Sequence, residues 1–337
     1  MDFGIFDHLD QTGQAGSDYY EDRLKLIERY DEIGIYAYHV AEHHATPLGM
    51  APSPSVFLAA VAQRSRRLRF GPLVYCVPMY HPVRLLEEIC MLDQLSGGRF
   101  ELGVGRGISP IELGYYDLDY DEGPAKYREA LEIILLGIRN ERLTYDGEFF
   151  QVDDMPMRLA TVQKPHPPLW YGIHNPASAG WPGGNGVNIV SNAPAARVRE
   201  VSDAYREARA DAGLPGPEPK IGMTRYMILA DSREAAMEMG RRAYPVWRRS
   251  FMALWDEHGK EPIGVHYPEE FDGVVESGQA VAGTPDQVGE ELQRQIETAG
   301  INYMICRFAF GDLTLAESLN SVELFNDRLM GELKAAA

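Results

Sequence analysis

The sequence predicts an α/β fold of the TIM type, a (β/α)8 barrel with insertions, and three observations lead to this prediction. Short apolar runs alternate with segments of helical periodicity along almost the whole chain, which favours a parallel sheet with crossover helices. Eight such strand–helix units can be counted, the number that closes a barrel. The length of 337 residues suits one barrel of about 250 residues with added loops. We therefore expect a single domain over residues 1–337.

The predicted strands are short, and the segments between them carry apolar residues three and four positions apart, which is helical spacing. In the first helix this pattern is formed by Tyr20, Leu24 and Ile27. After the fifth strand, the Pro- and Gly-rich residues 181–186 predict only a short helix. The eight predicted strands cover residues 3–6, 35–41, 68–77, 99–105, 169–173, 186–190, 221–230 and 302–308.

Two segments do not fit the alternation and are predicted to be insertions. Residues 141–152 contain the turn dipeptide Asp146-Gly147 and predict a β-hairpin. Residues 258–282 have little periodicity and predict a long mobile loop. The competing fold, an open doubly wound sheet, would need a glycine-rich phosphate turn after the first strand, and residues 6–10 contain no glycine.

Composition and charge exclude several classes of function. The formal net charge of −18 argues against nucleic acid and against an anionic membrane surface as partners. No segment approaches the roughly 18 uninterrupted apolar residues of a membrane helix, and the first residues lack the basic region of a signal peptide. The three cysteines, Cys76, Cys90 and Cys306, form no disulfide framework, so we expect a cytoplasmic protein.

The end of the second predicted strand carries the most prominent polar cluster, Glu42-His43-His44. In a barrel of this kind, functional groups gather at the C-terminal ends of the strands. A histidine there can transfer protons, and a neighbouring carboxylate can orient it. The simpler alternative is a polar strand end solvated at the rim. The spacings H-x-H and H-E-x-x-H are absent, so no metal site is predicted.

Two further strand ends suggest an anion site. Arg106 lies between two glycines just after the fourth strand, where the backbone can approach a ligand and the guanidinium can bind a phosphate with two hydrogen bonds. Its alternative role is an ion pair with a surface carboxylate. After the fifth strand, Asn175 and Ser178 flank a proline, which is typical either of an anion site at a helix start or of simple capping by Asn175.

Several of these motifs resemble the bacterial luciferase-like family of flavin-dependent monooxygenases. Their order and spacing fit across nearly the whole chain, so the match is specific for the family and uninformative about the substrate. The matching runs are Ala41-Glu42-His43-His44, His81-Pro82-Val83-Arg84, residues 91–100 (MLDQLSGGRF), Gly103-Val104-Gly105-Arg106-Gly107, Gly283-Thr284-Pro285 and Ala299-Gly300-Ile301.

The resemblance implies a barrel enzyme that binds reduced FMN, which a separate flavin reductase supplies. The reduced flavin reacts with O2, and the flavin hydroperoxide that forms oxidises a small organic substrate. The resemblance also implies a dimer, either a homodimer or a heterodimer.

Individual roles follow from the same resemblance. His43 corresponds to the essential histidine of the family and is expected to transfer a proton or stabilise an intermediate, with Glu42 beside the flavin ring. The bond Leu73–Val74 corresponds to a non-proline cis peptide beneath the ring, and Arg106 to a phosphate ligand. The full set of expected cofactor-binding residues is Leu73, Val74, Arg106, Ile108, Lys126, His174, Asn175, Ser178 and Ser191.

The chain also departs from the family pattern. Gly105 stands where luciferase has a reactive cysteine, which argues against a true luciferase and leaves oxygenation possible. His174 replaces a glutamate, and the short segment 181–186 replaces a longer helix.

Two other functions are compatible with the same fold. Some relatives use a deazaflavin to transfer hydride and never activate oxygen. Others are non-catalytic partner subunits or flavin-storage proteins, an alternative that the presence of His43 disfavours.

Overall fold

A computed structural model describes residues 1–11, 13–264 and 267–335. In this part of the chain, ten strands form one sheet and two form a separate hairpin. The strands are β1 (Asp2–Asp7), β2 (Ala37–Val40), β3 (Arg69–Pro72), β4 (Tyr75–Cys76), β5 (Leu102–Gly105), β6 (Arg142–Asp146), β7 (Gln151–Pro156), β8 (Leu169–Gly172), β9 (Asn188–Ser191), β10 (Ile221–Leu229), β11 (Ala280–Gly283) and β12 (Tyr303–Arg307).

Helices connect the strands and cover the outside of the sheet. Two single 3-10 turns, Val77–Met79 and Pro176–Ser178, and one π turn, Asn326–Met330, accompany them. The α-helices are α1 (Gly16–Glu32), α2 (Pro54–Arg64), α3 (Pro82–Ser96), α4 (Pro110–Gly114), α5 (Gly123–Arg139), α6 (Gly180–Gly184), α7 (Ala195–Asp211), α8 (Arg233–Glu257), α9 (Phe271–Glu276), α10 (Pro285–Ala299), α11 (Leu315–Phe325) and α12 (Gly331–Ala335). None of these helices combines the length and the apolar character that a membrane span requires.

The large sheet closes into a barrel, which confirms the predicted fold class. Its strands follow the order β3-β2-β1-β12-β10-β9-β8-β5-β4, and neighbouring strands pair in parallel. The two ends of this order, β3 and β4, are consecutive pieces of one extended segment. Both contact the β5 region, through a bridge between Phe70 and Phe100 and through the pairing of β4 with β5. The ends of the sheet are therefore joined.

All eight predicted barrel strands are present. The third is interrupted between β3 and β4 at the peptide bond Leu73–Val74, which is cis, as the family resemblance implies. The predicted short helix after the fifth strand corresponds to α6. The predicted hairpin is formed by β6 and β7, which pair antiparallel and extend to Pro156, four residues beyond the predicted end at 152.

The prediction of an irregular segment over residues 258–282 is wrong for its second half. Residues 271–276 form α9, and residues 280–283 form β11, which pairs with the end of β10. The single turn of α9 buries Phe271 and Val274, which is too short a pattern to be recognised as a helix. The small residues of β11 have no alternation, because both faces of this strand are buried. Residues 265 and 266 lie outside the described part of the chain.

Hydrophobic side chains fill two layers, one inside the barrel and one between the strands and the helices. The inner layer includes Phe6, Leu73, Trp170, Val190 and Ile305. The much larger outer layer joins the strands to α1, α2, α3, α5, α7, α10 and α11. The barrel interior is therefore a packed core below the ends of the strands.

Direct backbone contact between β3 and β5 immediately precedes the break in the third strand. A Cβ atom on Gly103 would overlap the carbonyl oxygen of Pro72, and one on Gly71 would overlap the carbonyl oxygen of Glu101. Only glycine allows two backbones to approach this closely. The contact holds the Leu73–Val74 bond against the end of β5.

We expect Gly103→Ala to destabilise the protein by about 1–3 kcal/mol, because the added methyl group forces these strands apart. Chemical denaturation of the purified variant measures this loss. Gly123→Ala, at the start of α5, is the matched control, because its Cβ would meet no atom within 4 Å. Equal stability of the two variants would contradict the role given to the β3–β5 contact.

Candidate active site

Two adjoining cavities open at the C-terminal ends of the barrel strands. The outer cavity has a volume of about 720 Å³ and the inner cavity about 200 Å³. They share one wall, so a ligand in one lies next to a ligand in the other. The shared wall consists of Phe6, His43, Leu73, Val74, Ile108, Ser109, Glu112, Gly172, His174 and Ile263.

The structure brings most of the predicted site residues together at these cavities. Arg106 and His43 line the same outer cavity, although they come from different strand ends. Ser191 lines the inner cavity. The other predicted residues that line the outer cavity are Glu42, Leu73, Val74, Ile108, His174, Asn175 and Ser178.

Lys126 is placed differently from the other predicted residues. It lies on α5, and its ammonium group is 5.7 Å from the centre of the Phe150 ring on the hairpin. It is not among the residues that line the outer or the inner cavity. Arg197, in the first turn of α7, lines the outer cavity instead.

His43 forms an ion pair with a carboxylate that the sequence did not reveal. Its Nδ1 atom is 3.1 Å from Oε1 of Glu112, and the other carboxylate oxygen accepts a hydrogen bond from the backbone N–H of His44 at 2.7 Å. Burial alone would lower the pKa of His43, but the carboxylate of Glu112 outweighs this effect and raises it. Burial would raise the pKa of Glu112, but His43 outweighs this effect and lowers it, so each residue favours the charged form of the other.

The same geometry directs the other ring nitrogen of His43 to a ligand. Nδ1 is engaged by Glu112, and within the described residues Nε2 has no hydrogen-bond partner. His43 lines both cavities, and its side chain is 18% exposed. Nε2 is therefore the atom able to donate a proton to, or accept one from, a bound molecule.

A single signal in the sequence points to Glu112. The run Ser109-Pro110-Ile111-Glu112 has the spacing of a capping box, and the Ser109 hydroxyl accepts the backbone N–H of Glu112 at 3.2 Å. In a capping box the glutamate turns back to its own helix end. Here it turns across the barrel mouth to His43, which only the tertiary structure shows.

Glu42 is the centre of a second hydrogen-bond network. Its carboxylate contacts Nε2 of His44 at 2.8 Å and accepts the Tyr80 hydroxyl at 2.9 Å and the Cys76 backbone N–H at 2.9 Å. His44 contacts the Tyr116 hydroxyl at 2.7 Å through its other nitrogen. Because the Glu42 side chain is 0% exposed, this arrangement suits a group that holds the end of β2 in place.

The floor between the cavities is formed by the cis bond Leu73–Val74. A Cβ atom on Gly105 would lie 2.5 Å from Cγ2 of Val74. A cysteine at position 105 would therefore displace Val74. This contact gives a physical reason for the glycine at the position where luciferase has its reactive thiol.

The outer cavity ends in a positively charged region. The guanidinium of Arg106 is exposed, lies 5.7 Å from the centre of the Tyr120 ring and forms no ion pair with any described residue. Arg197 is paired with Glu200. Asn175 accepts the backbone N–H of Ala177 at 3.1 Å and so caps the turn Pro176–Ser178. An unpaired arginine in a chain of net charge −18 is a favourable place for an anionic group.

Across residues 1–11, 13–264 and 267–335, no three His, Cys, Asp or Glu side chains are grouped to hold a metal ion. Burial raises the pKa of the Cys76 thiol well above its ordinary value, and Glu42 and Glu112 add to this effect. Cys76 is therefore a protonated thiol in the cavity wall.

These features define a (β/α)8-barrel protein with a ligand site at the C-terminal ends of its strands. The family model of luciferase-like monooxygenases matches residues 1–303. The chain therefore belongs to the luciferase-like monooxygenase family.

Two relatives illustrate the similarity in sequence. The chain is 44% identical over 331 residues to protein y4wF of Sinorhizobium fredii, which covers 97% of this chain and 96% of the relative. It is 27% identical over 243 residues to the oxygenase component of the flavin-dependent trigonelline monooxygenase of Acinetobacter baylyi, which covers 70% of this chain and 67% of the relative.

Solved structures show the same fold. Monooxygenase RslO1 from Streptomyces bottropensis superimposes with a TM-score of 0.89, 26% identity and coverage of 99% of this chain and 100% of that one. The oxygenating constituent of 3,6-diketocamphane monooxygenase of Pseudomonas putida, in complex with FMN, has a TM-score of 0.84 at 19% identity and 98% coverage of both chains. An F420-dependent secondary alcohol dehydrogenase has a TM-score of 0.73 at 16% identity, covering 97% of this chain and 98% of that one. The same fold thus occurs in an FMN-binding monooxygenase and in an F420-dependent dehydrogenase.

We expect Glu112→Gln to lower the pKa of His43, because burial then acts on the imidazole without the opposing carboxylate. An NMR titration of the histidine ring protons measures the shift, with the His43 signal assigned by its loss in His43→Gln. Glu148→Gln on the exposed hairpin is the control and leaves the titration unchanged. An unchanged pKa in Glu112→Gln would contradict the ion pair.

Proposed function

We propose that this protein is a flavin-dependent monooxygenase that uses reduced FMN and O2 to oxidise a small organic substrate. One observation carries the proposal: Arg106, His43 and the bond Leu73–Val74 all line the same cavity. An FMN molecule whose phosphate binds Arg106 would therefore bring its ring to His43. The diketocamphane enzyme, which has the same fold, forms a complex with FMN, and this supports FMN as the ligand.

The outer cavity suits FMN in size and in chemistry. Its volume of about 720 Å³ lies within the range of roughly 300–1,000 Å³ that is typical of small-molecule sites. Arg106, Arg197 and the turn Pro176–Ser178 would hold the phosphate. Leu73, Val74 and Ile108 would contact the flat ring. A Cβ on Gly172 would meet no atom within 4 Å, so the wall leaves space there for the ligand.

Bound reduced FMN would supply the reaction with O2 and the transfer of one oxygen atom to the substrate. The protein's own residues would position the bound molecules and supply the protons. His43 presents Nε2 as the atom for proton transfer, while Glu112 keeps Nδ1 oriented and raises the pKa of the imidazole. Glu42 is a positioning residue for the end of β2. At the boundary of the two cavities, the Ser191 hydroxyl lies 3.4 Å from Nδ1 of His174.

The proposal also covers the source of the reduced flavin, the oligomeric state, the location of the protein and the exclusion of water. Reduced FMN would come from a separate flavin reductase, in line with the trigonelline relative, which is an oxygenase component. We also propose a homodimer in the cytoplasm. Within the protomer, Phe251, Leu254 and Trp255 of α8 line the inner cavity and would exclude water from it.

We expect the Arg106→Gln variant to bind reduced FMN about 10- to 100-fold more weakly, the range for loss of a hydrogen bond to a charged group. Its affinity for reduced riboflavin, which has no phosphate, should stay within about twofold, because the ring contacts are intact. Anaerobic fluorescence titration measures both affinities. Arg139→Gln, at the exposed end of α5, is the control with the same loss of charge. An equal loss for both flavins would show that Arg106 does not bind the phosphate.

The second candidate function is hydride transfer with a deazaflavin, which the structural similarity to the F420-dependent alcohol dehydrogenase keeps open. We expect the protein to bind reduced FMN at least about tenfold more tightly than reduced F420. The reason is that, among the described residues, Arg106 and Arg197 are the only arginines or lysines that line the outer cavity and could bind the longer anionic tail of F420. Parallel titrations with the two cofactors measure this ratio. A preference for F420 would favour hydride transfer over oxygenation as the function of this protein.

A further inference from the structure

Arg307, the last residue of β12, lies at the inner cavity and was not among the predicted site residues. Its residue surface is only 5% exposed. The guanidinium lies between two aromatic rings, 4.6 Å from the centre of Phe6 and 4.7 Å from the centre of Tyr226. The rings cover its flat faces and hold its plane, so hydrogen bonding is left to its edge.

That edge is poorly satisfied by the protein. The Nε and Nη1 atoms of Arg307 are buried without a hydrogen-bond partner, and so is the Tyr226 hydroxyl. Among the described residues, the guanidinium has one measured hydrogen bond, and it is long, 3.5 Å from Nη2 to the Thr224 hydroxyl. Burial would lower the pKa of Arg307, but the phenol groups of Tyr226 and Tyr267 lie beside the guanidinium and help to raise it. Within the described residues no carboxylate forms an ion pair with Arg307. A buried, unpaired charge is costly, so a partner from outside the chain is expected.

The other buried arginines have the partners that Arg307 lacks. Arg23 lies 3.5 Å from a carboxylate oxygen of Asp7. Arg225 donates hydrogen bonds of 2.6, 2.7 and 3.0 Å to the oxygens of Gln295, Thr224 and Ala193. Arg23 therefore faces a carboxylate, although its Nε makes no hydrogen bond, and Arg225 is bonded to three oxygens, whereas Arg307, at the cavity, has neither arrangement.

Among the residues that the structure describes, the inner cavity has no free negative charge to neutralise Arg307. The one described carboxylate in its wall is Glu112, which is paired with His43. His8 adds no second positive charge. The Trp247 indole N–H donates a hydrogen bond to Nδ1 of His8 at 3.3 Å. Because an indole N–H can only donate, Nδ1 carries no proton and the imidazole is neutral. The cavity is therefore positive within a chain of net charge −18.

The remaining walls are suited to an organic molecule. Apolar side chains line much of the cavity together with hydroxyl and amide groups, of which the Thr224 hydroxyl is 3.5 Å from Nη2 of Arg307. The apolar residues are Leu48, Val190, Phe251, Leu254, Trp255 and Ile263, and the polar ones are Ser191, Asn192, Thr224 and Tyr267. The volume of about 200 Å³ restricts the ligand to a small one.

From these observations we propose that the inner cavity is the substrate site and that it selects small organic carboxylates, with the carboxylate on Arg307 and the apolar body toward His43 and the shared wall. The planar guanidinium fork matches a carboxylate in two parallel hydrogen bonds. This inference rests on the proposed function for the nature of the reaction, but binding at Arg307 can be tested without flavin.

The probes for the test are benzoate and benzamide, which have the same shape and differ in charge. Calorimetric titration of the flavin-free protein should show that benzoate binds at least about tenfold more tightly than benzamide. Arg307→Met should weaken benzoate binding about 10- to 100-fold and leave benzamide within about twofold. Arg307→Lys keeps the charge and loses the planar fork, so its affinity for benzoate should lie between those of the wild type and Arg307→Met.

Arg248→Met on α8 is the matched control, because this arginine is partly buried, carries the same charge and does not line the inner cavity. It should bind benzoate as the wild type does. Removal of a buried unpaired charge should leave the folded state at least as stable, so Arg307→Met is expected to fold. The wild-type benzoate-to-benzamide ratio remains a test that needs no variant.

Three results would overturn this inference. The first is a wild-type protein that binds benzoate no better than benzamide, and the second is a benzoate preference that survives Arg307→Met. The third is an Arg307→Met variant whose affinity for reduced FMN falls as much as its affinity for benzoate, which would assign Arg307 to the flavin. A protein that binds benzoate through Arg307 but binds no FMN would refute the proposed function alone.

Discussion

The position of the whole site depends on the contact that closes the barrel between its third strand and β5. Gly71 and Gly103 allow these backbones to touch, and the third strand breaks immediately afterwards at Leu73–Val74. The break forms the floor between the two cavities, and Gly105 leaves Val74 its space. A bulkier residue at any of the three glycines would move the surface on which a ring-shaped ligand is expected to lie.

The charge at the two cavities is positive, whereas the chain as a whole is acidic. The chain carries 50 acidic and 32 basic residues, yet each end of the joined cavities presents an arginine without a carboxylate partner among the described residues. Arg106 is exposed at the outer end, and Arg307 is buried at the inner end. The surrounding negative field makes these two positions stand out as anion sites, and His43 lies on the wall between them.

The two acidic residues at the mouth of the barrel have separate tasks. Glu112 engages one nitrogen of His43 and raises the pKa of the imidazole, so the other nitrogen serves the ligand. Glu42 is fully occupied by His44, Tyr80 and the backbone of Cys76, and so stabilises the loop that carries His43. The histidine is thereby held from its own strand end and from α4 at the same time.

The sequence by itself determined the barrel, its eight strands and the family, because alternating periodicity and motifs are local properties of the chain. It also indicated His43 and Arg106, since strand ends with polar residues mark the functional face of a barrel. Only the tertiary structure decided that Glu112 pairs with His43, that Arg197 rather than Lys126 lines the outer cavity, and that Arg307 lacks a partner. These are contacts between residues far apart in the chain, and no local pattern records which side chains meet across a closed sheet.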